Sequence, residues 1–309
     1  MLDYHLHLWP HTERETPLSL GQLGAYCEAA QAAGVAEIAV TEHLFRFRQT
    51  DALLGGFFEE DEPDPALRHS AAEYWRFHAR ADLDEYVGCV LEAKKAGLPI
   101  VLGLEVDHYR GRMDKVAGLL AGYPFDVLLG SVHWIGGWLF DHLGDPAAIH
   151  EWSARRVDSC WDAYTANLEE LAASGACDVL AHPDLIKLTG RVPDAPEEWW
   201  DRIAEAAASS GMAAEVSSAG WTKPIGEQYP AIPLLHRLVE RGVPLTTASD
   251  AHGLSRVADR APDLRRLLRE AGVDTLQGYR GRRPYPVPVQ AGRPEEPASV
   301  RTGRSGGST

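Results

Sequence analysis

Short apolar runs alternate along this chain with longer amphipathic ones, and the alternation repeats many times. The apolar runs predict strands at Leu2–Leu8, Glu37–Thr41, Ile100–Glu105, Val127–Val132, Asp178–Ala181, Ala213–Ser217 and Leu245–Ala248, with a weaker one at Thr275–Tyr279. Spacing of 3.6 residues between apolar positions predicts helices over Leu18–Ala33, Ala154–Ala173, Glu197–Ser210, Ile232–Arg241 and Ala261–Glu270, and one or two more within residues 66–96. The first opens after Pro17, and Gly34, Gly97, Gly175, Gly211, Gly242 and Gly272 mark helix ends. Segments such as AAQAAGVAEIAV and LVERGVPLTTAS run helix, glycine, strand. That is βα repetition, which predicts an α/β protein with a parallel sheet covered by helices. Seven or eight units over roughly 280 residues suit a closed or nearly closed barrel. A doubly wound open sheet is the rival, but no GxGxxG follows Leu8, so its dinucleotide-binding version has no support.

Two stretches interrupt the repeat. Residues 45–65 contain GGFFEEDEPDP, and residues 134–153 contain Trp134, Trp138, Trp152, His142 and His150. Both follow predicted strands, so they read either as covers over the active face of a barrel or as surface excursions. From Gly281 the chain is rich in Pro, Gly, Ser and Arg, and its last 20 residues predict disorder. The domain reading is a barrel over residues 1–280 and a disordered tail over 281–309.

Composition narrows the partners. The chain has 309 residues, 30 Lys+Arg against 45 Asp+Glu, and a net charge of −15. That balance disfavours a protein that coats nucleic acid. It leaves room for a small phosphorylated metabolite held by a local positive site. Cys27, Cys89, Cys160 and Cys177 form no CxxC pair, and neither a basic-then-apolar N-terminus nor an 18-residue apolar run is present. The expectation is a cytoplasmic protein without disulfides or a membrane span.

The 13 histidines carry more information through their placement. His5 and His7, two apart on a predicted strand, share a face, and His11 follows in the loop. His43 lies just past the second strand, Glu105 at the end of the third, His133 and His182 after the fourth and fifth, and Asp250 and His252 after the seventh. Neutral imidazoles and carboxylates converging at strand C-termini form a metal-ligand pattern, because all such ends face one site in a barrel. A carboxylate such as Glu105 is costly in a core unless paired, and coordination removes that cost. Seven histidines and two carboxylates exceed the needs of one tetrahedral ion, so two or three ions fit better, with Glu105 as a bridge.

The segments DYHLHLWPH, VTEH, GLEVDHY, YPFDVLLGSVHWIGGWLFDH, AHPDLIK, SSAGWTKPIGEQYP and TTASDAH resemble the PHP (polymerase and histidinol phosphatase) family, in its histidinol-phosphatase-like branch. The resemblance spans about residues 1–255 and implies a distorted (β/α)7 TIM-like barrel with a trinuclear metal centre. It implies one ion on His5, His7, Glu105 and Asp250, a second on Glu105, His133 and His182, and a third on His11, His43 and His252. Zinc, iron and manganese all suit such a donor set. The interval from His7 to His11 is shorter than the family's loop, and Glu42 stands where the family often has Asp.

The resemblance implies a phosphomonoesterase, foremost one that hydrolyses histidinol phosphate. The alternatives are a family member acting on another small phosphate ester and a non-catalytic metal-binding module. Asp250 and His252 are the candidate catalytic acids. A phosphate also needs a cation, and Lys187, Lys223, Arg155 and Arg156 are the candidates. Glu227, or Glu59–Asp61 in the acidic loop, is placed to recognise an amine on the substrate.

Overall fold

The computed structural model describes residues 1–12 and 18–289. Pro17 and residues 290–309, the stretch expected to be disordered, lie outside the described residues. In chain order the elements are β1 (Leu2–Leu6), α1 (Leu20–Ala32), β2 (Glu37–Val40), α2 (Arg48–Leu54), α3 (Phe57–Asp61), α4 (Pro65–His78), α5 (Leu83–Lys95), β3 (Ile100–Asp107) and α6 (Met113–Leu120). There follow β4 (Val127–Ser131), β5 (Trp134–Ile135), β6 (Trp138–Leu139), α7 (Pro146–Ala154), α8 (Val157–Ala173), β7 (Val179–Leu180), α9 (Glu197–Ser210) and β8 (Ala213–Ser217). The chain continues through α10 (Ile232–Glu240), β9 (Leu245–Ala248), α11 (Ala261–Glu270), β10 (Thr275–Arg280) and β11 (Arg283–Pro288). No helix among the described residues is long and apolar enough to cross a membrane.

Seven strands form one parallel sheet in the order β1-β2-β3-β4-β7-β8-β9. Nearly all their residues are buried, as expected for strands covered on both faces. The sheet curls into a distorted TIM-like barrel whose seam lies between β9 and β1. No ladder joins these two strands. Beyond the end of β9, however, Asp250 N–H donates to His5 O at 2.9 Å and His7 N–H to Ala251 O at 2.8 Å. Below them the Thr247 hydroxyl donates to Leu2 O at 2.7 Å. The seam is therefore stitched at the C-terminal mouth, where the histidines were expected.

The structure resolves one open element reading and departs from others. Residues 66–96 hold two helices, because Asp82 stops the chain between them and caps α5 by accepting from the N–H groups of Asp84 and Glu85. The helix expected over Ala154–Ala173 is broken by extended backbone at Arg155 and Arg156, and α7 precedes the break. β1 ends two residues early, at Leu6. Thr275–Tyr279 is a strand but does not join the barrel.

The segment after Gly281 is not wholly a tail. β11 pairs antiparallel with β10, and this hairpin plugs the N-terminal end of the barrel. Its reason is electrostatic. Asp126 and Asp178 stand just before β4 and β7, and Glu37 opens β2. Arg282 grips Asp178 through Nε and Nη2 at 3.0–3.1 Å, Gly281 N–H donates to Asp126 at 3.0 Å, and Arg280 pairs with Glu37. Because the Arg282 side chain is 39% exposed, solvent screens this fork. Arg282→Ala is expected to cost about 1 kcal/mol, read as a lower urea midpoint at an unchanged m-value. Phosphate release should stay within twofold, since the plug lies at the end of the barrel opposite the histidines.

Candidate metal centre

The alternation of β1 directs Asp3, His5 and His7 to one side. Asp3 is the structural member: it accepts from Ser249 N–H and the Ser249 hydroxyl at 2.7 Å and from Ala258 N–H at 2.8 Å. Burial, opposed by those hydrogen bonds, raises its carboxyl to about 7. Asp3 thus ties β1 to the segment that carries Asp250 and His252. Asp250 itself has φ 52, in the left-handed region that side chains seldom adopt, as does His182 with φ 27. Both strained residues are predicted ligands.

Glu105 is fully buried at the centre of the cluster. Its Oε2 lies 3.2 Å from His5 Nε2, 3.4 Å from His7 Nε2 and 2.7 Å from His43 Nδ1. His5 Nε2 and His7 Nε2 are 3.1 Å apart, and Asp250 Oδ1 lies 3.3 Å from His7 Nε2 and 3.8 Å from His5 Nε2. Separations of this size suit donors to one ion, since metal–ligand bonds of about 2.0–2.1 Å set tetrahedral ligand atoms about 3.3 Å apart. The other oxygen, Oε1, faces a second group, 3.0 Å from His182 Nε2 and 3.4 Å from His133 Nε2. A third group joins His7, His43 and His252, with His7 stacked on the other two rings at 4.1–4.2 Å. His11 reaches this group through an Nε2 contact of 3.0 Å with His252 Nε2.

All nine predicted ligands therefore meet at the barrel mouth. The donor set fits divalent ions on a second count. His7 Nδ1, both nitrogens of His43, Glu105 Oε2 and His182 Nδ1 are buried without a hydrogen-bond partner, an arrangement that is costly unless something else satisfies them. Charges reinforce the picture. Burial opposes ionisation of Glu105, but His43, His5 and His133 hold its carboxyl well below the usual carboxylate range. Burial, together with neighbouring imidazoles, lowers His11 and His43, and takes His252 down to about 3. Lowering favours the neutral form of a ring, the form that coordinates a metal.

Carboxylates behind the rings fix their orientation. His5 Nδ1 is 2.8 Å from Glu215 Oε2, and His133 Nδ1 is 2.6 Å from Asp107 Oδ1. Glu42 proves to be fully buried, neither a surface carboxylate nor a partner of His43. It accepts from the N–H groups of Leu8 and Trp9 and pairs with Arg46, so it shapes the loop that carries His7. Asp107 and Glu215 were missed in the sequence, though a signal existed. Asp107 is two residues beyond Glu105 on the same face of β3, and Glu215 is the lone carboxylate in the apolar run of β8. Asp107→Asn or Glu215→Gln is expected to weaken metal affinity about 10- to 100-fold. Competition against a chromogenic chelator measures this, and an unaltered affinity in both variants would remove them from the site.

A cavity of about 1250 Å³ opens over the cluster. Its walls come from α4 and from the segment 139–147, more than from the acidic loop. Of the predicted binding residues only Lys223 lines it. Lys187 is buried, its ammonium engaged by Glu227 at 2.6 Å, Asp184 at 3.0 Å and Gln228 O at 2.9 Å. The pair Lys187–Glu227 thus pins two loops and engages the Lys187 ammonium, and Glu227 lies outside the cavity lining. Arg155 is paired with Glu151 at 2.5 Å and lies over Trp138, while Arg156 is 83% exposed beside Asp158. Glu60 pairs with Arg112 outside the cavity, Glu59 is exposed and outside it, and the Asp61 side chain lies outside the described residues. Cations that sequence reading overlooked, Arg76, Arg80 and Arg256, line the cavity instead. Part of the tryptophan-rich insertion, from Leu139 to Ala147, lines the cavity, and its hairpin is anchored where Gly137 N–H donates to Glu62 at 3.0 Å.

The fold and the cluster define a metal-binding α/β barrel with its donors at the C-terminal mouth. The PHP domain matches residues 5–219, and the chain belongs to that family. It is 30% identical over 292 residues to a Deinococcus radiodurans protein named "Probable histidinol-phosphatase", an alignment that covers 93% of this chain and 99% of the relative. A solved structure from Listeria monocytogenes superposes with a TM-score of 0.69 at 18% identity, over 85% of this chain and 99% of that one. The histidinol phosphate phosphatase of Lactococcus lactis, solved with zinc, L-histidinol and phosphate, superposes with a TM-score of 0.65 at 21% identity, over 92% and 98%.

Proposed function

We propose that this chain is a metal-dependent phosphomonoesterase that hydrolyses histidinol phosphate to histidinol and phosphate, a cytoplasmic step of histidine synthesis. The observation that carries the reading is the convergence of nine donor residues, Glu105 at their centre, at the floor of an open cavity. The name of the Deinococcus radiodurans relative supports the choice of substrate.

His5, His7, Glu105 and Asp250 would hold one divalent ion, Glu105, His133 and His182 a second, and His11, His43 and His252 a third. Zinc, iron or manganese suits these donors. Bound ions of this kind activate water at neutral pH and neutralise phosphoryl oxygens. The chain's own residues do the rest. Lys223 makes no ion pair among the described residues and lines the cavity, so it serves as a point charge for a phosphoryl oxygen. Asp250, whose side chain is 16% exposed, has an edge towards the cavity. That edge is the candidate route for passing a proton to the leaving oxygen. His252 borders the same path and orients Asp250's segment through the contact of its Nδ1 with Asp250 O at 3.1 Å.

Phosphate release across histidinol phosphate, nucleotides, sugar phosphates and a phosphodiester tests the proposal. Histidinol phosphate is expected to be the preferred substrate. Preference for another small monoester would keep the chemistry and change the substrate, and preference for the diester would overturn both. Lys223→Ala should raise KM for the phosphate ester about tenfold, with a smaller effect on kcat, and an unchanged KM would exclude it from phosphate binding.

A further inference from the structure

The motif GGWLFDH places an acid at the cavity that the metal cluster does not use. Three carboxylates line the cavity outside the cluster: Glu73, Asp141 and Asp145. Asp145 is committed to structure, since it caps α7 by accepting from Ala147 N–H at 3.0 Å and also accepts from the Ser70 hydroxyl. Glu73 is exposed and lies within 4.0 Å of His69 and Arg76. Asp141 differs from both. Its Oδ1 is buried without a hydrogen-bond partner, and its side chain makes no ion pair among the described residues. It belongs to none of the groups whose donor atoms lie close enough to share an ion.

Its surroundings define what it would bind. Asp141 follows Phe140, whose N–H donates to His133 O at 3.2 Å, and it lines the same cavity as Glu105, His133 and His182. The neighbouring wall is aromatic: Tyr74 is half-buried and lines the cavity, His142 packs on it at 5.2 Å, and Phe45 and Phe77 line the same cavity. A carboxylate with one desolvated and unsatisfied oxygen, against an aromatic wall, favours a compact cation with N–H donors. Metal ions at the cluster would bind the phosphate end of a substrate, so Asp141 meets the other end of a short molecule.

We propose that Asp141 is the specificity residue that receives a primary ammonium on the substrate, a role that rests on the phosphomonoesterase reading above. It replaces Glu227 and the acidic loop, whose carboxylates are paired elsewhere or stand outside the cavity.

Two matched pairs of esters test this with the metal-loaded enzyme: histidinol phosphate against its des-amino analogue, and ethanolamine phosphate against ethyl phosphate. The wild type is expected to favour the amine in each pair it hydrolyses. Asp141→Asn should lower kcat/KM for the amine-bearing ester about 30-fold or more, with less than a threefold loss on its partner, at equal metal content. Asp141→Glu, which keeps the charge, should recover part of the preference and guards against a folding defect in the amide variant. Equal losses within a pair, or no amine preference in the wild type, overturn the proposal. If histidinol phosphate is not hydrolysed but ethanolamine phosphate shows the preference and Asp141→Asn removes it, the substrate reading fails and the role of Asp141 stands.

Discussion

Glu105→Gln is expected to lower phosphate release about a thousandfold and to remove at least one metal ion per chain. The substitution keeps volume and β3 geometry, so its effect comes from charge. Glu105 contacts five imidazoles: Oε2 faces His5, His7 and His43, and Oε1 faces His133 and His182. An amide has one acceptor oxygen and one donor nitrogen, so one of the two groups would meet N–H bonds where it now meets a lone pair. The fold should survive. Breaking a buried ion pair is costly when it leaves a charge behind, but imidazoles can shed their protons and remain neutral. Elemental analysis, phosphate release and circular dichroism on the same sample check the three parts. Near-normal turnover with a full metal complement would exclude Glu105 as the shared ligand.

Most of this centre was legible because a parallel barrel converts sequence position into place. Each apolar run ends at the same mouth, so His43, His133 and His182 had to meet although they lie up to 139 residues apart. What was not legible depended on pairing between side chains. Lys187 follows a strand just as a phosphate-binding lysine would, yet Asp184 and Glu227 engage its ammonium, and no spacing rule shows that closure. Arg155 and Arg156 looked like helix residues near the site, but the break between α7 and α8 turns them away. The hairpin β10–β11 was hidden for a related reason. Its prolines and arginines read as disorder, and only the carboxylates of Asp126, Asp178 and Glu37, gathered from three strand starts, give the segment something to hold. Asp107 and Glu215 were readable in principle, since a carboxylate inside an apolar strand needs a partner.

Chelation is expected to abolish turnover and lower the thermal midpoint without unfolding the chain. An ion present at a hundred times its Kd adds about 2.7 kcal/mol, and with an unfolding entropy near 2.1 cal/mol/K per residue a chain of this length loses about 4 °C for each ion removed. The barrel has independent support in its seven-stranded ladder, its core and the Asp3 tie across the seam, which separates it from small metal domains that unfold when stripped. The ion-free cluster also has its own compensation. Burial resists charge on His7 and His133, but neighbouring carboxylates, Asp250 and Glu105 among them for His7 and Glu105 and Asp107 for His133, raise both to about 10. Protonated rings then face the carboxylates that would otherwise repel one another. Calorimetry before and after chelation, followed by addition of zinc or manganese, measures the shift. A midpoint that falls and recovers together with activity supports ions bound at the folded mouth. A midpoint indifferent to chelation, in protein that still releases phosphate, would sink the metal-dependent mechanism.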